Sequence, residues 1–356
     1  MRLRIAQVAP LYESVPPRRY GGTERIVSYI TEELVNRGHE VTLFASGDSA
    51  TRGRLVSPCK RSLRTDEQSV DSLAPHVTML NQVFRESRNF DIIHFHIDYL
   101  HFPVSMRANV PNVTTLHGRL DIPELEPLYH EFSSMRVVSI SDAQRQPLPW
   151  LNWQRTVHHG LPQNLYTFSK EPGTYLAFLG RISPEKGVDR AIEIAVRAGM
   201  KLKIAAKVDP VDEDYFNQRI RPLLDSPLVD FIGEVSEFEK NDFLGKALAL
   251  LLPVDWPEPF GLVMIEAMAC GTPTVAFRRG AVPEIIDEGL SGFVCTGVDD
   301  AIAALSHVGA VSRKRCRQAF EDRFTVARMI KDYVDLYEEV IEETGELREP
   351  SMAEQS

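Results

Sequence analysis

The sequence predicts an α/β protein made of two Rossmann-like, doubly wound parallel-sheet domains. Three observations predict it. Short apolar runs alternate with helical patterns along the chain, the mark of parallel strands buried on both faces and joined by crossover helices. The alternation runs through once and restarts near residue 174. The length, 356 residues, is that of two domains rather than one. Hydrophobic residues make up 43% and charged residues 25%, which supports packed cores and excludes a disordered chain, a collagen or a coiled coil.

The elements follow in order. LRIAQVA (3–9) reads as a buried first strand, and its apolar stretch is too short for a signal-peptide core. GGTERIVSYITEELVNRG (21–38) places Ile26, Val27, Ile30, Leu34 and Val35 at helical spacing, with Thr23 as the expected cap and Gly38 as the stop. EVTLFAS (40–46), FDIIHFH (90–96), NVTTLHG (112–118) and RVVSIS (136–141) are strand-like, and the basic stretch 51–64 reads as a loop. The second series comprises TYLAFLGR (174–181), KLKIAAKV (201–208), VDFIGEV (229–235), ALLLPVDW (249–256) and PTVAFRRG (273–280), with SPEKGVDRAIEIAVRAG (183–199) as a helix. The expected domains are residues 1–165 and 166–325, joined by a hinge within 155–172. A terminal helix over 326–345 and a polar, disordered tail over 346–356 follow.

Charge and motif content exclude several functions. The net charge is −10, against the basic face that nucleic-acid binding requires. Residues 1–165 carry +1 and residues 166–356 carry −11; residues 321–356 alone account for −7. No apolar run reaches the ~18 residues of a membrane span. Arg52, Arg54, Lys60, Arg61 and Arg64 form a basic loop with two readings, a solvated surface or weak contact with an anionic membrane surface. Cys59, Cys270, Cys295 and Cys316 show no metal or redox spacing, so free thiols in a reducing cytoplasm are expected. GxGxxG, P-loop, GxSxG and HExxH motifs are all absent. Asp212-Glu-Asp214 reads as acids at a helix start rather than a metal–nucleotide triplet. His94, His96 and His101 cluster in sequence, with His117 further on, but a zinc site needs three or four convergent ligands and the sequence shows no convergence, so no metal is expected.

Two stretches carry chemistry. In Arg181-Ile-Ser-Pro-Glu-Lys186-Gly, Ser183 can cap a helix and Pro184 can occupy its first position, which puts Lys186 in the first turn. Cations at that pole are unfavourable unless an anion joins them, so the stretch is either a phosphate site or a pair of solvated cations. In Pro257-Glu258-Pro-Phe260-Gly261-Leu262-Val263-Met-Ile-Glu266, an apolar helix starts near Gly261 with Glu266 as its single charge. A buried carboxylate needs a ligand or an internal cation. Glu258 stands at the helix entrance beside the open amides of Gly261, Leu262 and Val263. Carboxylates accept sugar hydroxyls and helix amides hold phosphate, so the pair describes a site for a phosphate-linked sugar. The loop Tyr20-Gly21-Gly22-Thr23 adds glycines that let backbone approach a ligand.

The order of a GG loop, HG after a strand, GR…PEKG, FxG and EPFGLVMIEAMACGTP resembles family 4 of the retaining, GT-B-fold glycosyltransferases over nearly the whole chain. Within it, the chain is similar to a bacterial subgroup that includes an avilamycin-pathway transferase and pterin glucosyltransferases. The resemblance implies two domains facing each other across a cleft, with an acceptor-binding first domain and a donor-binding second. It implies that Arg181 and Lys186 hold the donor diphosphate, Glu266 the ribose, and Glu258 the donor sugar, helped by backbone from Phe260 to Val263. It further implies that Val235 meets the base, Gly21 and Gly22 approach the phosphate, and His117 sits beside the reacting carbon. The expected reaction is metal-independent transfer of a hexose, glucose favoured, from a nucleotide sugar, UDP favoured over GDP, to a small-molecule or glycan acceptor. No cofactor beyond that donor is expected. The alternatives are a sugar-nucleotide epimerase of the same fold and a nucleotide-sugar-binding protein without turnover. Ala206 and Ala281 depart from glycines common in the family.

Overall fold

A computed structural model describes residues 1–346 except Tyr20 and Asn109. The tail from 347 onward, within the segment expected to be disordered, lies outside the described residues. The chain divides into two compact units. One comprises 1–140, 145–158 and the chain from Val326; the other comprises 141–144 and 159–325. The terminal helix, set apart in the sequence reading, is therefore grouped with the first unit.

The first unit holds a seven-stranded, all-parallel sheet. Its strands are β1 (Arg4–Val8), β2 (Glu40–Phe44), β3 (Arg54–Val56), β4 (Ile92–Phe95), β5 (Asn112–Thr115), β6 (Val137–Ser139) and β7 (Trp153–Thr156), in the order β3-β2-β1-β4-β5-β6-β7. Ile5, Ala6 and Val8 are fully buried, as a strand covered by helices on both faces requires. Several elements were not anticipated, among them β7 at one edge of the sheet and a short helix, Leu125–Glu131. The basic stretch 51–64 contains β3, which adds to the sheet edge beside β2. A helix spans Leu73–Glu86, with His76, Met79, Leu80 and Val83 buried along one face. The Gly22–Asn36 helix is capped by Gly21 rather than Thr23. Gly21 has φ of 145°, and a Cβ there would lie 2.8 Å from Pro17 Cβ, so the chain turns too tightly for any side chain.

The second unit holds a six-stranded, all-parallel sheet, again doubly wound. Its strands are β8 (Tyr175–Arg181), β9 (Leu202–Lys207), β10 (Val229–Gly233), β11 (Ala247–Leu252), β12 (Thr274–Phe277) and β13 (Gly292–Cys295), in the order β10-β9-β8-β11-β12-β13. The helical pattern after Asp212 is realised unevenly. A short α segment, Glu213–Tyr215, passes into a π turn, Phe216–Ile220, and then a 3-10 turn, Arg221–Asp225. Pro222 explains the change, because it has no amide hydrogen and crowds the carbonyl four residues back. Among the described residues no helix is long and apolar enough to cross a membrane.

Candidate functional site

The strand order of the second unit reverses at β8, which pairs with β9 on one side and β11 on the other. Crevices at such a reversal, beyond the carboxyl ends of the strands, are where doubly wound sheets take ligands. The loops after β8 and β11 meet there, which brings Lys186 to Glu258 across 72 positions of sequence.

The β8 loop differs in detail from expectation. Ser183 is extended and Pro184–Lys186 form a single 3-10 turn. Gly187 follows in the left-handed region with φ of 72°, and the α-helix begins only at Val188. Lys186 therefore sits ahead of that helix, not in its first turn. A Cβ on Gly187 would lie 2.2 Å from the Pro253 carbonyl oxygen, so glycine permits the two loops to touch. Arg190 Nε donates to the same Pro253 oxygen at 3.0 Å, and the Asp255 amide donates to the Glu185 carbonyl at 2.8 Å.

The cations are matched by acids rather than solvated. Lys186 Nζ donates to Glu258 Oε2 at 2.7 Å and lies 4.6 Å from the centre of the Trp256 ring. Trp256 Nε1 donates to the same oxygen at 3.0 Å. Arg181 donates from Nη2 to Glu185 Oε1 at 2.7 Å, and its Nε is 3.4 Å from Asp212 Oδ2. Asp209 lies 3.9 Å from Arg181 Nη1 and is held by Lys207 at 2.7 Å. Burial pushes the Glu185 carboxyl up, but its backbone amide, Ser183 and Arg181 outweigh that and hold it below the usual value. Asp212 does stand at a helix start, and it also packs against Arg181, a contact that the triplet pattern did not reveal.

The helix after β11 runs from Leu262 to Cys270, with Gly261 as a left-handed cap at φ of 82°. Phe260 is buried, whereas Gly261, Leu262 and Val263 are partly open, and the first helical amides have no acceptor within the helix. Glu266, 4% exposed, receives Lys240 Nζ at 2.9 Å. The internal cation weighed as the alternative for this carboxylate is thus present, and Lys240 was not foreseen. Val235 lies just past β10, half-buried, next to the capping box of Ser236 and Glu239. Gly280, at φ of 52°, packs on Glu258: a Cβ would lie 2.3 Å from the Glu258 carbonyl oxygen, which also accepts the Ala281 amide at 2.8 Å. Ala206 belongs to the buried core of the unit, so that departure does not alter a site surface.

The remaining candidates lie in the first unit. Gly21 is buried and Gly22 opens the first helix; Tyr20 lies outside the described residues. His117, two residues past β5 and half-buried, ends a polar chain whose other members are buried. His117 Nε2 pairs with His96 Nδ1 at 2.9 Å, and His96 Nε2 with Gln7 Oε1 at 2.8 Å. Gln7 Nε2 donates to Tyr337 at 3.1 Å, Tyr337 pairs with His94 Nδ1 at 2.7 Å, and His94 Nε2 with Thr115 at 2.8 Å. With the Gln7 amide assigned this way, the donor order puts the His117 proton on Nε2. Burial drives His117 down to about 3 and His94 well below 6.5, so both rings are neutral. Asp98, after β4, was missed by the sequence reading. It adopts φ of 49°, its surface is exposed, and its carboxylate accepts a hydrogen bond from the His117 backbone.

Among the described residues no group of three or more His, Cys, Asp or Glu could hold a metal ion, and all four cysteines are free. Of the basic loop, Arg52 pairs with Glu32, Arg54 with Glu86 and Arg64 with Glu13.

Solved structures share this architecture. That of AviGT4, "a glycosyltransferase involved in Avilamycin A biosynthesis", superposes with a TM-score of 0.72 at 23% identity, covering 96% of this chain and 98% of that one. The Anabaena protein Alr3699/HepE, solved "in complex with UDP and glucose", gives 0.74 at 17% identity, covering 95% and 100%. The fold is therefore GT-B. Two family sequence models divide the chain between them: Glycosyltransferase Family 4 matches residues 20–164, and Glycosyl transferases group 1 matches residues 167–313. The chain belongs to the family 4 glycosyltransferases of the GT-B fold. N-acetyl-alpha-D-glucosaminyl L-malate synthase of Bacillus anthracis is 24% identical over 90% of this chain and 94% of its own length.

Proposed function

We propose that this glycosyltransferase moves a hexose, glucose favoured, from a UDP-sugar to an acceptor hydroxyl with retention and without a metal. The observation that carries the reading is the Lys186–Glu258 pair at the strand reversal, flanked by Arg181 and the open amides of Leu262 and Val263. On donor binding, Lys186 and Arg181 turn from their carboxylates to the diphosphate. Glu258, relieved of Lys186, accepts sugar hydroxyls, and Glu266 accepts those of the ribose. The bond from the anomeric carbon to the diphosphate oxygen breaks, and the bond to the acceptor oxygen forms on the same face. The acceptor proton passes to the departing diphosphate, so no enzyme nucleophile is needed. Arg181 and Lys186 stabilise the charge that develops there, the work done elsewhere by a metal ion. HepE was solved with UDP and glucose, which supports this donor class.

The acceptor is assigned to the segments 10–20, 47–75 and 95–122 of the first unit, within which lie the connections that leave the carboxyl ends of β1, β2, β4 and β5. It is a small molecule or a glycan, and the reaction belongs to the cytoplasm. The test is a panel of UDP-, GDP- and ADP-sugars with EDTA, crossed with an acceptor screen and read by released nucleotide and by the anomeric configuration of the product. UDP release with a retained anomer supports the reading. Turnover that appears only with Mn²⁺, or an inverted product, refutes it. Conversion of the donor without acceptor would mean an epimerase.

A further inference from the structure

Arg181 is shared by three carboxylates, and they are not equivalent. Glu185 holds Nη2 at 2.7 Å from a one-turn helix, with a third of its side chain exposed. Asp209 is 3.9 Å from Nη1 and already occupied by Lys207. Asp212 faces Nε at 3.4 Å, and only 9% of the residue is exposed. Its Oδ2 is buried and accepts no hydrogen bond among the described residues. A carboxylate in that setting is costly without its cation, whereas Glu185 can turn to water.

We propose that Asp212 is a positioning residue, which keeps the Nε edge of Arg181 while the terminal nitrogens exchange Glu185 for the diphosphate of the donor. This deepens the donor-site reading above and rests on it. A guanidinium offers two edges: one stays on a buried anchor, and the other is presented as a fork to phosphate oxygens. Glu185 occupies the edge that the diphosphate needs, and a second anion there is repelled once phosphate arrives. It is thus a competitor, and Asp212 a support. Burial raises the Asp212 carboxyl above its usual value; Arg181 draws it down, while Glu185 and Asp209 push it up. The anchor therefore weakens on acidification.

The test is calorimetric titration of UDP, with EDTA, into the full-length protein and its Arg181→Ala, Asp212→Asn, Asp212→Glu and Glu185→Gln variants at pH 7.5 and 5.5. Arg181→Ala tests the donor site itself, and a loss of 100-fold or more is expected. Asp212→Asn weakens UDP about 10-fold at pH 7.5, Asp212→Glu restores part of that, and Glu185→Gln binds as tightly as wild type or several-fold tighter. The ratio of wild-type to Asp212→Asn affinity is smaller at the lower pH than at the higher, the direction that a raised Asp212 carboxyl dictates and one that a purely structural role would not produce. If Arg181→Ala weakens UDP but Asp212→Asn binds within twofold of wild type, the positioning role is wrong and the donor site stands. Glu185→Gln as damaging as Asp212→Asn overturns it equally, and that comparison holds even if Asp212→Asn folds poorly. Unchanged binding in Arg181→Ala overturns both readings.

Discussion

Replacing Lys186 by Ala should damage both stability and turnover, and the structure sets the sizes. Lys186 Nζ is 2.7 Å from Glu258 Oε2, and Glu258 is 6% exposed. Removing one partner of a buried pair costs about 3–5 kcal/mol. Here Trp256 Nε1 still donates to the abandoned oxygen, and 23% of the Lys186 side chain is exposed. The expected loss is therefore at the lower end, about 2–3 kcal/mol, including the contact with the Trp256 ring. Glu258→Gln in the same chain removes the unpaired charge, so the double variant should regain about 1 kcal/mol or more over Lys186→Ala alone. Turnover should fall about 100-fold or more, as loss of a charge stabiliser at a leaving group does. Urea unfolding of the two single variants and the double variant reads the first effect, and the rate of nucleotide release reads the second. Turnover within threefold of wild type would remove Lys186 from the reaction. A double variant no more stable than Lys186→Ala would mean that the pair is not formed.

Three further outcomes follow from the geometry. Gly280→Ala puts a Cβ 2.3 Å from the Glu258 carbonyl oxygen at a φ of 52°. It should cost about 2 kcal/mol or more in thermal or chemical unfolding, and should raise the donor KM by displacing Glu258; a neutral substitution would refute the packing. Gln7→Leu removes the acceptor of His96 Nε2 and one of the two hydrogen bonds to the Tyr337 hydroxyl, and should cost about 1–3 kcal/mol by urea unfolding, with terminal-helix amides exchanging faster in hydrogen exchange. Stability should also fall as pH drops below 6.5. Burial lowers His117 to about 3 and keeps His94 and His101 well below 6.5, so the unfolded chain takes up protons that the native one refuses. Each contributes a slope of about 1.4 kcal/mol per pH unit from 6.5 down to its folded value. Unfolding free energies that stay flat from pH 7.5 to 5.5 would contradict the neutral histidine chain.

The sheet topology was readable because parallel strands buried on both faces leave apolar runs, and nearly every central strand did. The elements missed were those whose signal is weak or was overlooked. β3 has three residues at an edge amid basic side chains, and no period marks it. The Leu73–Glu86 helix carries helical spacing in His76, Met79, Leu80 and Val83, so this element is legible in the sequence. At the site, residue types and spacing marked Arg181, Lys186, Glu258 and Glu266. Their partners could not be read, because Lys186–Glu258, Arg181–Asp212 and Lys240–Glu266 form only when separate crossovers place their loops side by side. The same holds for the chain from His117 to Tyr337, whose ends are 220 positions apart and which needs the terminal helix to return to the first unit. Net charge carries no information on the site: the excess acid lies in the last residues, and at the site Lys186 is matched by Glu258 while Arg181 is shared by three carboxylates.

Calorimetric titration of UDP into the full-length protein in EDTA tests the central claim most directly. A single saturable site, lost in Arg181→Ala and strongly weakened in Lys186→Ala, is the predicted result. Binding that appears only when Mn²⁺ replaces EDTA, or that survives both substitutions, would contradict it.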